Sequence, residues 1–177
     1  MFMSTKIIYF YCPSFLVLNE RTKALDNILD VKQKTALDIE LVDVEGDNYA
    51  YWRELSKRWN KGNDIILLEH DIVITAMQLQ QLIDCSNKDC AFAYKLYNID
   101  GLMWQIYNTS ADQTKTFGYK INEFPEFAKA TGCLKISANT QKTKPILPAA
   151  SWQNLCSEIN FVYHIHYSVY HDHIPKQ

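Results

Sequence analysis

Asp64-Ile65-Ile66-Leu67-Leu68-Glu69-His70-Asp71-Ile72-Val73 is an apolar run that breaks off in two carboxylates around a histidine. Four apolar residues in succession, bounded upstream by Gly62-Asn63, predict a strand buried on both faces in the middle of a parallel sheet. The charges begin where that strand leaves the core. In open α/β sheets the ligand crevice lies outside the carboxyl ends of the strands, because the packed interior tolerates few polar groups. In extended chain Glu69 and Asp71 project to one side and His70 to the other. Two hard oxygen ligands at that spacing suit Mg²⁺ or Mn²⁺, a cation that carries the phosphates of a substrate. The plainer alternative is that these carboxylates only cap the next helix, Asp71 standing shortly before Thr75.

The chain has 177 residues, enough for one domain over 1–177 with a full core and short for separate donor and acceptor domains. Hydrophobic residues at 47% and charged ones at 21% exclude a disordered chain. A net charge of −2 provides no global basic field, so a nucleic-acid partner would need a local patch. Five cysteines, an odd number without a CxxC pair, make no disulfide framework. Even the close pair Cys85 and Cys90 is expected as free thiols in a reducing, cytoplasmic compartment. The hydrophobic stretch Met1 to Leu18 is interrupted by Cys12-Pro13-Ser14 and has no small-residue cleavage pattern, so it reads as a first strand rather than a signal peptide. No run approaches the ~18 apolar residues that span a bilayer.

Lys6 to Tyr11 is the first strand, and Asn19 caps a helix carrying Leu25, Ile28 and Leu29 that ends near Lys32-Gln33-Lys34. Asp38 to Val44 is the second strand. Asp47 or Asn48 caps a helix whose Trp52, Leu55 and Trp59 form one apolar stripe, and Gly62 ends it. After the opening strand comes a helix over Thr75 to Cys85, with Met77, Leu79, Leu82 and Ile83 on its buried side. The order βαβαβα predicts a partly parallel, Rossmann-like mixed sheet flanked by helices.

Beyond it, 91–97 and 102–107 flank an Asp100-Gly101 step and form a hairpin, and the polar stretch 108–120 is a mobile loop. A helix over Glu123 to Ala130, a strand over Leu134 to Ser137, a connection marked by Pro145 and Pro148, and a helix capped by Ser151 with Trp152, Leu155 and Ile159 inside complete the pattern.

All five histidines occupy two places: His70, and His164, His166, His171 and His173 in the tail. Histidines at i and i+2 in extended chain share a face, an arrangement that occurs around Ile165 and again around Asp172. The tail has three readings. It is a zinc site of its own, although HExxH and CxxC spacings are absent. It is a solvated terminus. Or it folds back so that one histidine completes the shell of a cation held by Glu69 and Asp71, the reading that uses both clusters at once.

The βαβαβ half, Trp59-x-x-Gly62, Glu69-His70-Asp71-Ile72, the Cys85/Cys90 spacing, Thr131-Gly132-Cys133 followed by Lys135, Trp152 and the His-x-His ending together resemble the GT-A class of nucleotide-sugar glycosyltransferases. More narrowly, they are similar to small phage and bacterial GT-A-like proteins. The resemblance implies a GT-A-like single domain in which Glu69 and Asp71 stand in the place of the family's Asp-x-Asp motif. There they would bind Mn²⁺ or Mg²⁺ and, through it, a nucleotide-sugar donor. His166 or His171 would match the C-terminal metal-binding histidine, and Lys57, Arg58, Lys61 or Lys135 could assist with the diphosphate. The family's catalytic acid has no clean counterpart, because Gln153-Asn154 follow Trp152, which leaves Glu158, another carboxylate such as Asp100 or Asp112, or a retaining reaction that needs no such base. The acceptor stays open, a modified phage DNA base being one candidate. A catalytically inactive nucleotide- or metal-binding module and a histidine-based metal-dependent hydrolase are the rival readings.

Overall fold

A computed structural model describes residues 5–11, 23–44, 50–70, 72–98, 101–107, 116–120, 132–144, 159 and 161–171. Three strands form the parallel half of its sheet: β1 (Thr5–Tyr11), β2 (Ile39–Asp43) and β3 (Asp64–Leu68). β1 lies between the other two, with Ile8 opposite Glu40 on one side and Leu67 on the other. Helix α1 (Lys23–Lys34) follows β1 and helix α2 (Ala50–Ser56) follows β2, as the apolar periodicity predicts.

Alternation along each strand divides the core into two layers. Ile8, Phe10, Ile65 and Leu67 face one layer, where Ala50 and Leu55 of α2 and Trp59 pack against them. Ile7, Tyr9, Ile66 and Leu68 face the other, covered by Ile28 and Val31 of α1 and by Leu79 and Leu82 of α3 (Ala76–Asp84). β3 is therefore buried on both faces, as its unbroken Ile-Ile-Leu-Leu run requires. At about 1.5–3 kcal/mol for each fully buried aliphatic side chain, it is a main source of the sheet's stability.

The second half is mostly antiparallel. β8 (Cys133–Ile136) runs against β3, Leu68 opposite Cys133, and then against the start of β5 (Cys90–Asn98). β5 continues into a hairpin with β6 (Gly101–Tyr107), Asn98 opposite Gly101, at the place the Asp100-Gly101 step predicts. β7 (Thr116–Lys120) pairs with β6, so the last part of the expected 108–120 loop is a strand. Including β4 (Ile72–Val73) and β9 (Val162–His171), the described residues form a sheet of nine strands, seven of them in the order β2-β1-β3-β8-β5-β6-β7.

Several expectations are corrected. Met77 is 62% exposed, while Gln78 turns inward to complete a capping box with Thr75, so Thr75 rather than Asp71 caps α3. Helix α2 ends at Ser56 and the turn after it reaches Asn60, whose φ of 55° is left-handed, two residues before Gly62 at φ 87°. A short helix α4 (Ala138–Thr143), capped by Ser137, occupies a stretch read as a strand end and connection. Cys85 and Cys90 form a disulfide rather than two free thiols, which removes the cysteine argument for a reducing compartment. No helix among the described residues is long and apolar enough to cross a membrane. The expected helix over 123–130 and all of the final one except Ile159, which is buried, lie outside the described residues.

Candidate functional site

In the order β2-β1-β3 the chain leaves β1 toward one side for β2 and crosses to the other side for β3. Helices α1 and α2 accordingly cover opposite layers of the sheet. The carboxyl ends of β1 and β3 thus flank the topological switch point, where open α/β sheets form their ligand crevice. Glu69 and His70 begin there, directly after Leu68.

This segment is a turn and not extended chain. Ile72 N donates to Glu69 O at 3.1 Å, closing four residues, so the extended-chain rule that set Glu69 and Asp71 on one side does not apply. The turn is anchored on three sides. Glu69 N donates to Gly132 O at 2.8 Å, which joins it to the glycine that precedes β8. Tyr9 Oη donates to His70 O at 2.7 Å. The Tyr51 hydroxyl is hydrogen-bonded to His70 Nδ1 at 3.0 Å, and the Tyr51 ring meets Phe10 edge-on with centroids 4.8 Å apart. Downstream, Ile74 N donates to Asn27 Oδ1 of α1 at 2.8 Å.

Beside the turn, burial pushes the Cys133 thiol far above its ordinary range, and the nearby charge of Glu69 pushes it further. Both influences favour the protonated thiol.

The tail comes to this place through β9. The strand runs parallel to β5, with Phe92 opposite His164 and then Tyr94 opposite Val169. A single residue of β5 thus faces a bulge of β9, Ile165 to Ser168, that contains His166. The strand then pairs antiparallel with β4, His171 opposite Ile72 and Tyr170 opposite Val73. Paired Cα atoms lie about 4.5–5.5 Å apart, so the backbone of His171 is next to the acidic turn although a hundred residues of chain separate them. Asp71, Asp100 and Glu158 lie outside the described residues, as do the side chains of His166 and His171. Among the described residues no group of three or more His, Cys, Asp or Glu is placed to hold a metal ion.

Two of the expected phosphate helpers have other partners. Lys135 is buried, and its Nζ donates to Ile83 O and Cys85 O, both at 3.1 Å, at the carboxyl end of α3, with Asp64 Oδ2 3.7 Å away. Arg58 bonds to the Glu40 carboxylate through Nε and Nη2, and its Nη1 donates to Glu54 O at 2.5 Å and Glu54 Oε2 at 3.1 Å. Both cations fasten secondary structure. Sequence reasoning missed Tyr9 and Tyr51. Tyr9 is 61 residues from its partner, and no spacing rule links a strand tyrosine to a distant turn.

No protein-family model matches the chain, and no curated protein matches it. Among solved structures it is similar to A197 from STIV, with a TM-score of 0.52 and 14% identity over 94% of this chain and 85% of that one. It is also similar to the inositol-1-phosphate CTP transferase from T. maritima, with a TM-score of 0.46 and 11% identity over 96% of this chain and 84% of that one. At 14% identity the first likeness is one of fold: a mixed α/β sheet flanked by helices.

Proposed function

We propose that the chain is a metal-dependent glycosyltransferase that moves a sugar from a nucleotide-sugar donor to an acceptor. The observation that carries this reading is the pairing of β4 with β9, which sets His171 beside the turn of Glu69, His70 and Asp71 at the switch point of the sheet. Glu69, Asp71 and His171 would be the ligands, with His166 in the bulge as the alternative histidine. Carboxylate oxygens and an imidazole make a donor set that fits Mn²⁺ or Mg²⁺. Held by these residues, a cation would supply positive charge against that growing on the diphosphate as the anomeric bond breaks.

The chain's own residues would set where this happens. The carboxyl ends of β1 and β2, near Asp43, border the crevice and are the place for the donor base. Glu158 or Asp100 would take the acceptor's proton in an inverting reaction. A modified base in DNA, a cell-surface glycan and a protein side chain are the candidate acceptors.

Thermal unfolding against a panel of nucleoside diphosphates and nucleotide sugars, with and without Mn²⁺, tests this. A ligand at 100 times its dissociation constant adds about 2.7 kcal/mol, a midpoint shift of several degrees. A manganese-dependent shift with one nucleotide, lost in Glu69→Ala and in His171→Ala, is the expected result. No shift with any nucleotide, alongside a shift with zinc alone, would replace this reading with the hydrolase.

A further inference from the structure

We infer that Tyr9 and Tyr51 are positioning residues that clamp His70 from the two faces of the sheet and so fix the turn that presents Glu69 to a divalent cation. The cation rests on the reading proposed above; the clamp rests on contacts alone. Tyr9 is fully buried and belongs to the layer under α1 and α3. Its hydroxyl reaches past Leu68, its neighbour across the β1–β3 pairing, to the carbonyl of His70. Tyr51 is partly buried against the opposite layer and reaches the imidazole of the same residue. Tyr9 and Phe10 are consecutive in β1 and so serve opposite faces, one bonding to His70 directly and the other bracing the ring of Tyr51.

Phenylalanine would fill either tyrosine's place without burying a hydroxyl, which is unfavourable unless the hydroxyl is bonded. Both hydroxyls find their partner in one residue, the one between the two carboxylates. With Glu69 N bonded to Gly132 O, the turn is held from β1, from α2 and from the residue before β8. Outer groups that hold ligands in place change metal affinity by about 10–100-fold when removed.

The test uses the full chain and its Tyr51→Phe, Tyr9→Phe, His70→Leu and His70→Asn variants, each held well below its own unfolding midpoint. Two quantities are measured: Mn²⁺ affinity by titration, and hydrogen exchange of the Ile72 amide, whose bond to Glu69 O closes the turn. Tyr51→Phe and His70→Leu are expected to weaken Mn²⁺ binding at least about tenfold and to speed exchange at Ile72. His70→Asn, which keeps an acceptor near the place of Nδ1, is expected to restore both.

Parental affinity and unchanged Ile72 exchange in both tyrosine variants would overturn the clamp. If the parent chain binds no Mn²⁺, the metal reading fails by itself. Exchange at Ile72 then decides the clamp, faster exchange in Tyr51→Phe supporting it and unchanged exchange ending it. Should Tyr9→Phe not fold, Tyr51→Phe and the two His70 variants still decide.

Discussion

Asp64 and Glu69 stand at the two ends of one apolar strand, and in the sequence they look alike. In the fold they differ. Asp64 Oδ1 accepts from Ala138 N at the start of α4, and its Oδ2 faces the buried Lys135. Around it, Asp89 accepts from Ser137 N and Thr140 Oγ1, and its carbonyl receives Val162 N at the start of β9. Gln141 bonds to Asn63 O, Ile136 O and Asn60 N, and Trp59 Nε1 donates to Gln141 O and Lys144 O. Acids at that end are fasteners. At the other end the turn is secured through Glu69 N, His70 O and His70 Nδ1. The difference teaches that an acid at a strand end acquires its role from where the surrounding hydrogen bonds go.

The sharpest way to break this contrast is Asp64→Ala. It removes a cap from α4 and the counter-charge of a buried lysine, and should destabilise the fold by about 3 kcal/mol in denaturant unfolding. That is the lower part of the range for such a loss, because Lys135 keeps its two carbonyl partners. A change no larger than that of an ordinary surface substitution would show that Asp64 is not a fastener.

Reduction of the Cys85–Cys90 disulfide comes next. It closes a short loop around Asp89, for which chain entropy gives about 2 kcal/mol. The midpoint should fall by about 4–8 °C in a dithiol reductant. The Cys85→Ser, Cys90→Ser double variant should show the lower midpoint with or without reductant.

Glu69→Ala is expected to cost less stability than Asp64→Ala, since the turn's main-chain bond to Gly132 survives. Yet it should abolish Mn²⁺ binding. A large loss of stability would make Glu69 a second Asp64 and remove the distinction between the ends.

The smallest effect belongs to Glu40, which is paired but partly exposed. Hydrogen bonding from Arg58, aided by Lys6, holds its carboxyl down at about 2, well below its ordinary value of 4.5. Its folded pKa is depressed, so its contribution is present above about pH 4.5 and is lost as pH falls toward 2. Comparing acid unfolding of the parent with Glu40→Gln should show a shallower pH dependence in the variant across that window.

Much of the parallel half was legible in the sequence, because its signals are local. The run Ile65 to Leu68 admits only a strand buried on both faces, and the stripes of α1 and α3 declare helices. The hairpin at Asp100-Gly101 was legible for the same reason. Met77 was misread because an apolar residue at the start of a helix fits the stripe, whereas the cap geometry turned Gln78 inward. Lys135 and Arg58 could not be placed from sequence. A cation's role depends on which carbonyls and carboxylates meet it, and those belong to residues remote in the chain.

The sequence by itself determined the strand that organises the fold, the α/β alternation around it, and the acidic triplet where that strand leaves the core. Hydrophobic periodicity is enough for those, since each residue's burial follows from its immediate neighbours. Tertiary structure alone decided that Ile72 N bonds back to Glu69 O, that His171 pairs with Ile72, and that two tyrosine hydroxyls from opposite layers meet at His70. Those contacts depend on strand register and on the side each crossover takes. Both are set by the packing of the whole sheet, and no local pattern encodes them.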